Sequence, residues 1–217
     1  MNKKKSCKIF FFGDSICFGQ GVSVHKTWVS ICSSRLGQEF PDIDFIINNP
    51  SINGNTTRMA LERMSIAVQD HRPDILVVQF GMNDCNYWKT DGGHPRVSPK
   101  AYEANLEEIV DRAMIFGTKK IILHNNHTVA ITDKYNYANI AYHESNIEYC
   151  DIVRKLSSRL SNVYFNDIEM GWKLYMKKEC TTHDELLLND NIHLSELGHK
   201  LYSKIVYPKL KLIVNEL

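Results

Sequence analysis

The 217-residue sequence has no long hydrophobic run, and no stretch approaches the length that a helix needs to cross a bilayer. It has no C-x-x-C pair either, and its six scattered cysteines suggest neither a zinc site nor a disulfide framework. The formal net charge is only +1, and no basic stretch beyond residues 3–5 is dense enough to hold a phosphate backbone. We therefore expect no membrane span, no nucleic-acid partner and reduced, structural thiols.

Linkers and leader-like segments are also scarce. No tract rich in Gly, Pro or Ser, no repeat and no low-complexity segment divides the chain, so we expect one domain over residues 1–217. Charged residues precede apolar ones at the start, as in a signal peptide, but the apolar core at 9–12 is too short and no small-residue cleavage site follows. The sequence therefore predicts a cytoplasmic protein.

Short apolar runs rich in β-branched and aromatic residues alternate with longer amphipathic segments. This alternation is typical of a parallel β-sheet covered by helices on both faces. The predicted strands are 8–12, 44–48, 75–80, 120–124 and 163–166. The predicted helices are 28–39, 56–70, 99–116 and 147–160, with a last helix from residue 195 into the C-terminus.

Polar residues follow the predicted strands. Ser15 comes after the first strand, Gly54 lies beyond the second and Asn83 beyond the third, and the last loop adds Asp190 and His193. Ligands of open parallel sheets bind beyond the carboxyl ends of the strands, so these groups should converge on one edge. The segments 85–97 and 125–145 also follow strands directly, and we expect them to form the walls of the cleft.

These residue types fill the roles that acyl transfer requires. A serine hydroxyl needs a base, which His193 can supply, and Asp190 can accept a hydrogen bond from the other ring nitrogen. The side-chain NH₂ of Asn83, the backbone N–H of Ser15 and that of Gly54, which a bulky residue would block, can stabilise an oxyanion. Each element alone has another interpretation: a serine after a strand can cap a helix or bind phosphate, and Gly-x-Asn-Asp can be only a turn.

Four ordered blocks resemble the signature blocks of the SGNH hydrolases, also called the GDSL esterase and lipase superfamily. They are FFGDSI at 11–16, INGNTT at 52–57, GMND at 81–84 and DNIH at 190–193. Ile16 replaces the leucine of the family's name, which is a conservative change. The resemblance spans nearly the whole chain and implies a flavodoxin-like α/β fold, a three-layer αβα sandwich whose five-stranded parallel sheet has the order 2-1-3-4-5.

The resemblance also implies a role for each matched residue. Ser15 would be the nucleophile and His193 the base, supported by Asp190, and the oxyanion hole would consist of Ser15, Gly54 and Asn83. Two competing motifs do not fit. The G-x-S-x-G elbow of α/β-hydrolases is absent around the serine, and GQGVSV at 19–24 ends in valine where a dinucleotide fingerprint needs a small residue.

Further residues are expected to contact the substrate. Trp88 can stack on a ring, and His124 and His127, which have no third metal ligand nearby, are expected to line the cleft. Asp14 and Asp84 are also predicted to contact the substrate, because they adjoin the candidate nucleophile and the candidate oxyanion donor.

The predicted function is that of a serine esterase that forms an acyl-enzyme and needs no metal or cofactor. The loops are polar and aromatic, which favours a small-molecule ester with a small acyl group, such as acetyl on a carbohydrate. An acyltransferase, a thioesterase or lysophospholipase, and a binding module without turnover are the alternatives. The sequence leaves the oligomeric state open.

Overall fold

A five-stranded parallel sheet forms the centre of the computed structural model, which describes residues 4–217. Residues 1–3, which include the start of the basic stretch, lie outside the described part. The spatial order is β2-β1-β3-β4-β5, which confirms the predicted order. The strands are β1 (Lys5–Gly13), β2 (Ile43–Asn48), β3 (Ile75–Gln79), β4 (Lys120–His124) and β5 (Val163–Asn166).

Helices flank this sheet in two groups. In one group α3, α4 and α5 pack on one another in succession, and in the other α8 packs against both α2 and α6. The helices are α1 (Ser15–Phe18), α2 (Trp28–Glu39), α3 (Thr57–Ala67), α4 (Pro99–Ile115), α5 (Tyr142–Arg159), α6 (Ile168–Glu179), α7 (His183–Leu186) and α8 (Glu196–Asn215).

The strand order creates a switch point between β1 and β3. The chain leaves β1 for β2 on one side, whereas it leaves β3 for β4 on the other. Parallel crossovers are almost always right-handed, so this reversal puts the helix after β1 and the helix after β3 on opposite faces of the sheet. Ligands of such sheets bind in the crevice outside the carboxyl ends of the strands at this point. Gly13 pairs with Gln79 there, at the ends of β1 and β3.

Aromatic residues fix β1 and the segment that follows it. Phe11 meets the edge of Trp28 at 5.3 Å between ring centroids, and Trp28 stacks on Tyr202 of α8 at 4.7 Å. Each of these three side chains is fully buried, and full burial of a large apolar side chain contributes about 1.5–3 kcal/mol. The indole N–H of Trp28 also donates to the carbonyl of Ile16, 3.0 Å away, so the core holds α1 directly.

The largest differences from the helix predictions concern α5 and α6. The helix predicted at 147–160 begins five residues earlier, because its first turn is capped by the Glu144 carboxylate on the N–H of Ala141 and not by a side chain at the cap position. Helix α6 was not predicted. It contains Gly171, which lowers helix propensity, at a position where an added Cβ would lie 2.9 Å from the Ile205 side chain of α8. The glycine thus serves close helix packing.

Candidate active site

Ser15 is the first residue of α1, directly beyond the end of β1. Asp14 caps this helix by accepting a hydrogen bond from the N–H of Ile16 at 2.9 Å, so the serine hydroxyl is not used as the cap. Gly13 precedes them because a Cβ there would lie 2.5 Å from the carbonyl oxygen of Gln79 and 2.6 Å from Cys17. The tight junction leaves Ser15 only 5% exposed.

His193 and Asp190 come from the loop between α7 and α8. The loop folds on itself because one carboxylate oxygen of Asp190 accepts the N–H groups of Ile192 at 3.0 Å and of His193 at 2.9 Å. Its other oxygen lies 2.6 Å from Nδ1 of His193. Because a carboxylate can only accept, this bond assigns the ring proton to Nδ1 and leaves Nε2 as an acceptor.

The structure brings Ser15 and His193 together although 178 positions separate them in sequence. Oγ of Ser15 lies 2.9 Å from Nε2 of His193, within the range of a normal hydrogen bond. Burial raises the pKa of Asp190, but the hydrogen bonds from the imidazole and backbone of His193 and from Ile192 outweigh it, and the pKa stays below its ordinary value. Asp190 is therefore an anion at neutral pH, fit to stabilise an imidazolium beside it.

The predicted oxyanion donors meet around Asn83. Its Nδ2 donates to the carbonyl of Asn55 at 3.1 Å, next to Gly54, and lies 3.5 Å from a carboxylate oxygen of Asp14, next to Ser15. Gly54 has φ +77, and a Cβ added to it would meet nothing within 4 Å. A left-handed φ, which residues with a side chain rarely adopt, thus gives a second reason for glycine at this position.

Comparison with known proteins shows which family the chain belongs to. The model of the GDSL-like Lipase/Acylhydrolase family matches residues 11–201. The chain belongs to that family. The resemblance stated from the sequence is thereby confirmed.

Individual relatives are more distant. The chain is 27% identical over 116 residues to an arylesterase of Vibrio mimicus, over 54% of this chain and 53% of the relative. It is 28% identical over 111 residues to the esterase TesA of Pseudomonas aeruginosa, over 51% and 50%. The match thus spans about half the length of these two relatives. A mutant of Axe2, an acetyl-xylooligosaccharide esterase from Geobacillus stearothermophilus, has the same fold, with a TM-score of 0.77, 22% identity and 94% of each chain covered.

Two of the expected substrate contacts need correction in this GDSL-family chain. Asp14 and Asp84 are both 0% exposed, so no substrate can reach them. Asp84 accepts from the backbone N–H of Thr57 at 2.9 Å and from its hydroxyl, which anchors the start of α3. Burial raises the pKa of Asp14 to about 7 and that of Asp84 to about 6. Both buried carboxyl groups therefore stabilise the structure of the site and do not contact the substrate.

His127 also needs correction, because it is fully buried and cannot touch a substrate. Its Nε2 lies 2.8 Å from the carbonyl oxygen of Ile192, and since a carbonyl only accepts, Nε2 carries the proton. Burial lowers the pKa of His127 to about 3, so the ring is neutral and donates at every working pH. His127 therefore stabilises the loop at Ile192, the residue immediately before His193. The sequence contained no signal for this contact, which joins positions 65 residues apart.

Three other histidines have structural contacts. His124 is buried against both Trp28 and Tyr202 and does not line the cleft as expected. His199 is buried in α8 and accepts the backbone N–H of Trp28 at 3.2 Å. His183 of α7 lies 2.9 Å from the hydroxyl of Thr128, and the imidazole beside Ser15 is that of His193.

Trp88 lies in the open, as a substrate contact would. It is 49% exposed and stacks under the guanidinium of Arg96, whose carbon lies 4.0 Å from the ring centroid. The two residues line a cavity of about 400 Å³ with Arg58, Asp91, His94 and Pro95. Substrate contact by Trp88 stays a prediction. The nearby tyrosines 87, 135 and 137 pack on one another instead, with ring centroids 5.3 to 5.7 Å apart.

Two further findings concern the chain as a whole. None of the helices between residues 4 and 217 combines the length of a membrane span with the apolar composition it would need. In that same part of the chain, no three His, Cys, Asp or Glu side chains are grouped so that they could hold a metal ion.

Proposed function

We propose that this GDSL-family chain is a serine carboxylic ester hydrolase with Ser15 as nucleophile, His193 as general base and Asp190 as its supporting carboxylate. The main support for the proposal is a continuous pair of hydrogen bonds. Oδ2 of Asp190 lies 2.6 Å from Nδ1 of His193, and Nε2 of His193 lies 2.9 Å from Oγ of Ser15. A hydroxyl within hydrogen-bond reach of a base that a third group orients is the arrangement of an activated nucleophile.

The proposed reaction has two halves. As Ser15 Oγ bonds to the ester carbonyl carbon, its proton passes to Nε2 of His193. The tetrahedral intermediate collapses, the C–O bond to the alcohol breaks, and the alkoxide leaves with the proton from Nε2. Water then attacks the acyl-enzyme, gives its proton to His193 in turn, and releases the carboxylic acid as Ser15 recovers its hydroxyl hydrogen. No step requires a cofactor.

The oxyanion of both tetrahedral intermediates is assigned to the backbone N–H groups of Ser15 and Gly54 and to the side-chain NH₂ of Asn83. The Nδ2 group carries two protons. One is used by the carbonyl of Asn55, whereas the contact with Asp14 is 3.5 Å long, at the outer limit of a hydrogen bond, so the second proton is available to a substrate oxygen. Preorganised donors of this kind supply a large share of acyl-transfer catalysis.

The proposed substrate is an ester with a small acyl group, acetyl on a carbohydrate in the first instance. The cavity lined by Arg96, which donates to Asn83, also has charged and aromatic side chains such as Arg58 and Trp88. These side chains suit a polar, ring-bearing alcohol better than a lipid chain. The fold neighbour Axe2, whose name describes an acetyl-xylooligosaccharide esterase, supports testing this class first. The expected cytoplasmic location and single domain stay predictions.

The test combines a fluorophosphonate probe with an ester panel. Wild-type protein should be labelled at one serine and should hydrolyse p-nitrophenyl acetate faster than longer-chain esters, and Ser15→Ala should lose both labelling and turnover. Ser158→Ala, which removes an exposed hydroxyl of α5, is the matched control and should behave as wild type. An unlabelled wild type would favour a binding module.

The same samples distinguish a small-ester hydrolase from an acyltransferase, a thioesterase and a lysophospholipase. Release of acetate from acetylated xylo-oligosaccharides supports the proposed substrate class, whereas acetyl transfer to an added sugar in place of acetate release indicates an acyltransferase. A preference for acyl-CoA or lysophospholipid over p-nitrophenyl acetate would contradict the small-ester proposal while leaving Ser15 as the nucleophile.

A further inference from the structure

The amide of Asn83 has one orientation in the structure, and two neighbours agree on it. Its Oδ1 accepts from Nη1 of Arg96 at 3.2 Å, and its Nδ2 donates to the carbonyl of Asn55 at 3.1 Å. A guanidinium can only donate and a carbonyl can only accept, so an amide turned by 180° would face both neighbours with the wrong atoms. Arg96 therefore holds the NH₂ end of Asn83 on the side where the oxyanion is expected.

The same nitrogen of Arg96 also reaches Gly54. Nη1 lies 3.3 Å from the Gly54 carbonyl oxygen, which belongs to the peptide that follows the Gly54 N–H, so the bond restrains the backbone on one side of the Gly54 Cα. Glycine is the residue with the least intrinsic backbone restraint, and Gly54 has a left-handed φ of +77 with nothing within 4 Å of where a Cβ would be. A hydrogen bond from outside the loop is therefore valuable at this position. One guanidinium thus contacts both Asn83 and Gly54, the residues that carry two of the three proposed oxyanion donors.

Arg96 itself is held in place from several directions. Its backbone N–H donates to the carbonyl of Asn86 at 2.9 Å, and its guanidinium lies over the Trp88 ring. Burial lowers the pKa of Arg96, and the carboxylates of Asp84 and Asp91 act against that shift. A stacked, partly buried guanidinium loses less conformational freedom when it forms its hydrogen bonds than an exposed, mobile one would.

We propose that Arg96 is a positioning residue for the oxyanion hole, which fixes the amide of Asn83 in the geometry that an ester-derived oxyanion requires and restrains the backbone at Gly54 through its carbonyl. The inference rests on the proposed function. A charged donor at Oδ1 also polarises the amide, which strengthens the N–H groups at its other end. Because acylation and deacylation both pass through an oxyanion, kcat should depend on Arg96 whichever half-reaction limits turnover.

The test is a double-mutant cycle with p-nitrophenyl acetate. Arg96→Met should lower kcat by about 10- to 100-fold, less than or equal to the loss of a whole donor, with a change in KM of no more than about threefold. In the Asn83→Ala background the same change should cost no more than about threefold in kcat, because the group through which Arg96 mainly acts is gone. Arg96→Lys keeps the charge but lacks the planar guanidinium that stacks on Trp88, and should give an intermediate kcat.

Arg35→Met is the matched control. Arg35 also lies over an aromatic ring, 3.7 Å from the centroid of Tyr207, and pairs with Glu39, but it lies on α2 away from the site. It should keep the wild-type kcat. Fluorophosphonate titration of each variant gives the fraction of active sites, so a partly unfolded sample is corrected before kcat is compared.

Three results would overturn the inference. One is a wild-type kcat in Arg96→Met; another is an equal fold-loss in the wild-type and Asn83→Ala backgrounds; the third is a loss confined to KM, which would indicate direct substrate binding. If Arg96→Met is unfolded, the same criteria apply to Arg96→Lys. A wild-type protein with neither labelling nor turnover would instead overturn the proposed function itself, which distinguishes the two failures.

Discussion

The two sides of the candidate active site are built in different ways. On the His193 side the contacts of Asp190 are local: it bonds to residues two and three positions away, and its side chain is 46% exposed. On the Asn83 side the contacts join positions 13 to 69 residues apart, and the carboxyl groups of Asp14 and Asp84 beneath them are fully buried. A substitution in an exposed loop with local contacts can therefore lower activity without lowering stability, whereas a substitution on the buried Asn83 side should lower both.

The largest effect should come from the local side. Asp190→Asn keeps an oxygen that can accept the N–H groups of Ile192 and His193, so the loop should fold, but the amide NH₂ favours the wrong tautomer of the imidazole. We expect kcat for p-nitrophenyl acetate to fall by about 10⁴ with a nearly unchanged melting temperature. Asp184→Asn, the same change next to the unrelated His183, is the control. An active Asp190→Asn variant would remove the carboxylate from the mechanism.

On the long-range side, Asn83→Ala should lower kcat by about 10² to 10³, because one preorganised donor is lost. The change also removes the acceptor of Arg96 and the bond to Asn55, so a measurable loss of thermal stability should accompany it, unlike at Asp190. Asn215→Ala, at the end of α8, controls for loss of an amide. A melting temperature equal to that of the wild type would weaken the contrast between the two sides.

Sequence reasoning succeeded on the features that short segments encode. The strands at 120–124 and 163–166 match the structure to the residue, and the apolar runs and flanking turns that define them are local. The proximity of Ser15 to His193 could be predicted because each belongs to a recognisable block. Arg96 and the burial of Asp14 could not, since both depend on which distant loop packs against which strand end. A charged residue in a loop looks the same whether it is solvated or stacked on Trp88.

The buried carboxyl of Asp14 gives the long-range side a pH dependence of its own. Its pKa is raised from 3.8 to about 7, so the folded state holds this proton more tightly than the unfolded chain does. The stability that this provides is complete below about pH 4 and is lost as pH rises through about 7. Asp14→Asn keeps the cap acceptor and removes the titration. The free energy of unfolding of this variant, relative to that of the wild type, should therefore increase by at most a few kcal/mol between about pH 4 and 8.

Chemical denaturation of both proteins at several pH values measures this difference. Asp111→Asn, an exposed change on α4, controls for the loss of a carboxylate. If the difference in unfolding free energy between Asp14→Asn and the wild type is the same at about pH 4 and pH 8, the Asp14 carboxyl is not buried as described.

The smallest expected effect comes from His127, which shares features with both sides of the site. Its ring is buried like the Asn83 side, yet its one hydrogen bond supports the local loop at Ile192. His127→Phe leaves that carbonyl without its donor, which costs about 1–3 kcal/mol of stability, and should lower kcat by about tenfold or less because Asp190 still orients His193. His127→Gln, which can offer an N–H at a similar reach, should recover part of both losses. If Phe lowers kcat as severely as Asp190→Asn does, the His193 loop is not self-supporting, and the contrast between a local and a long-range side fails.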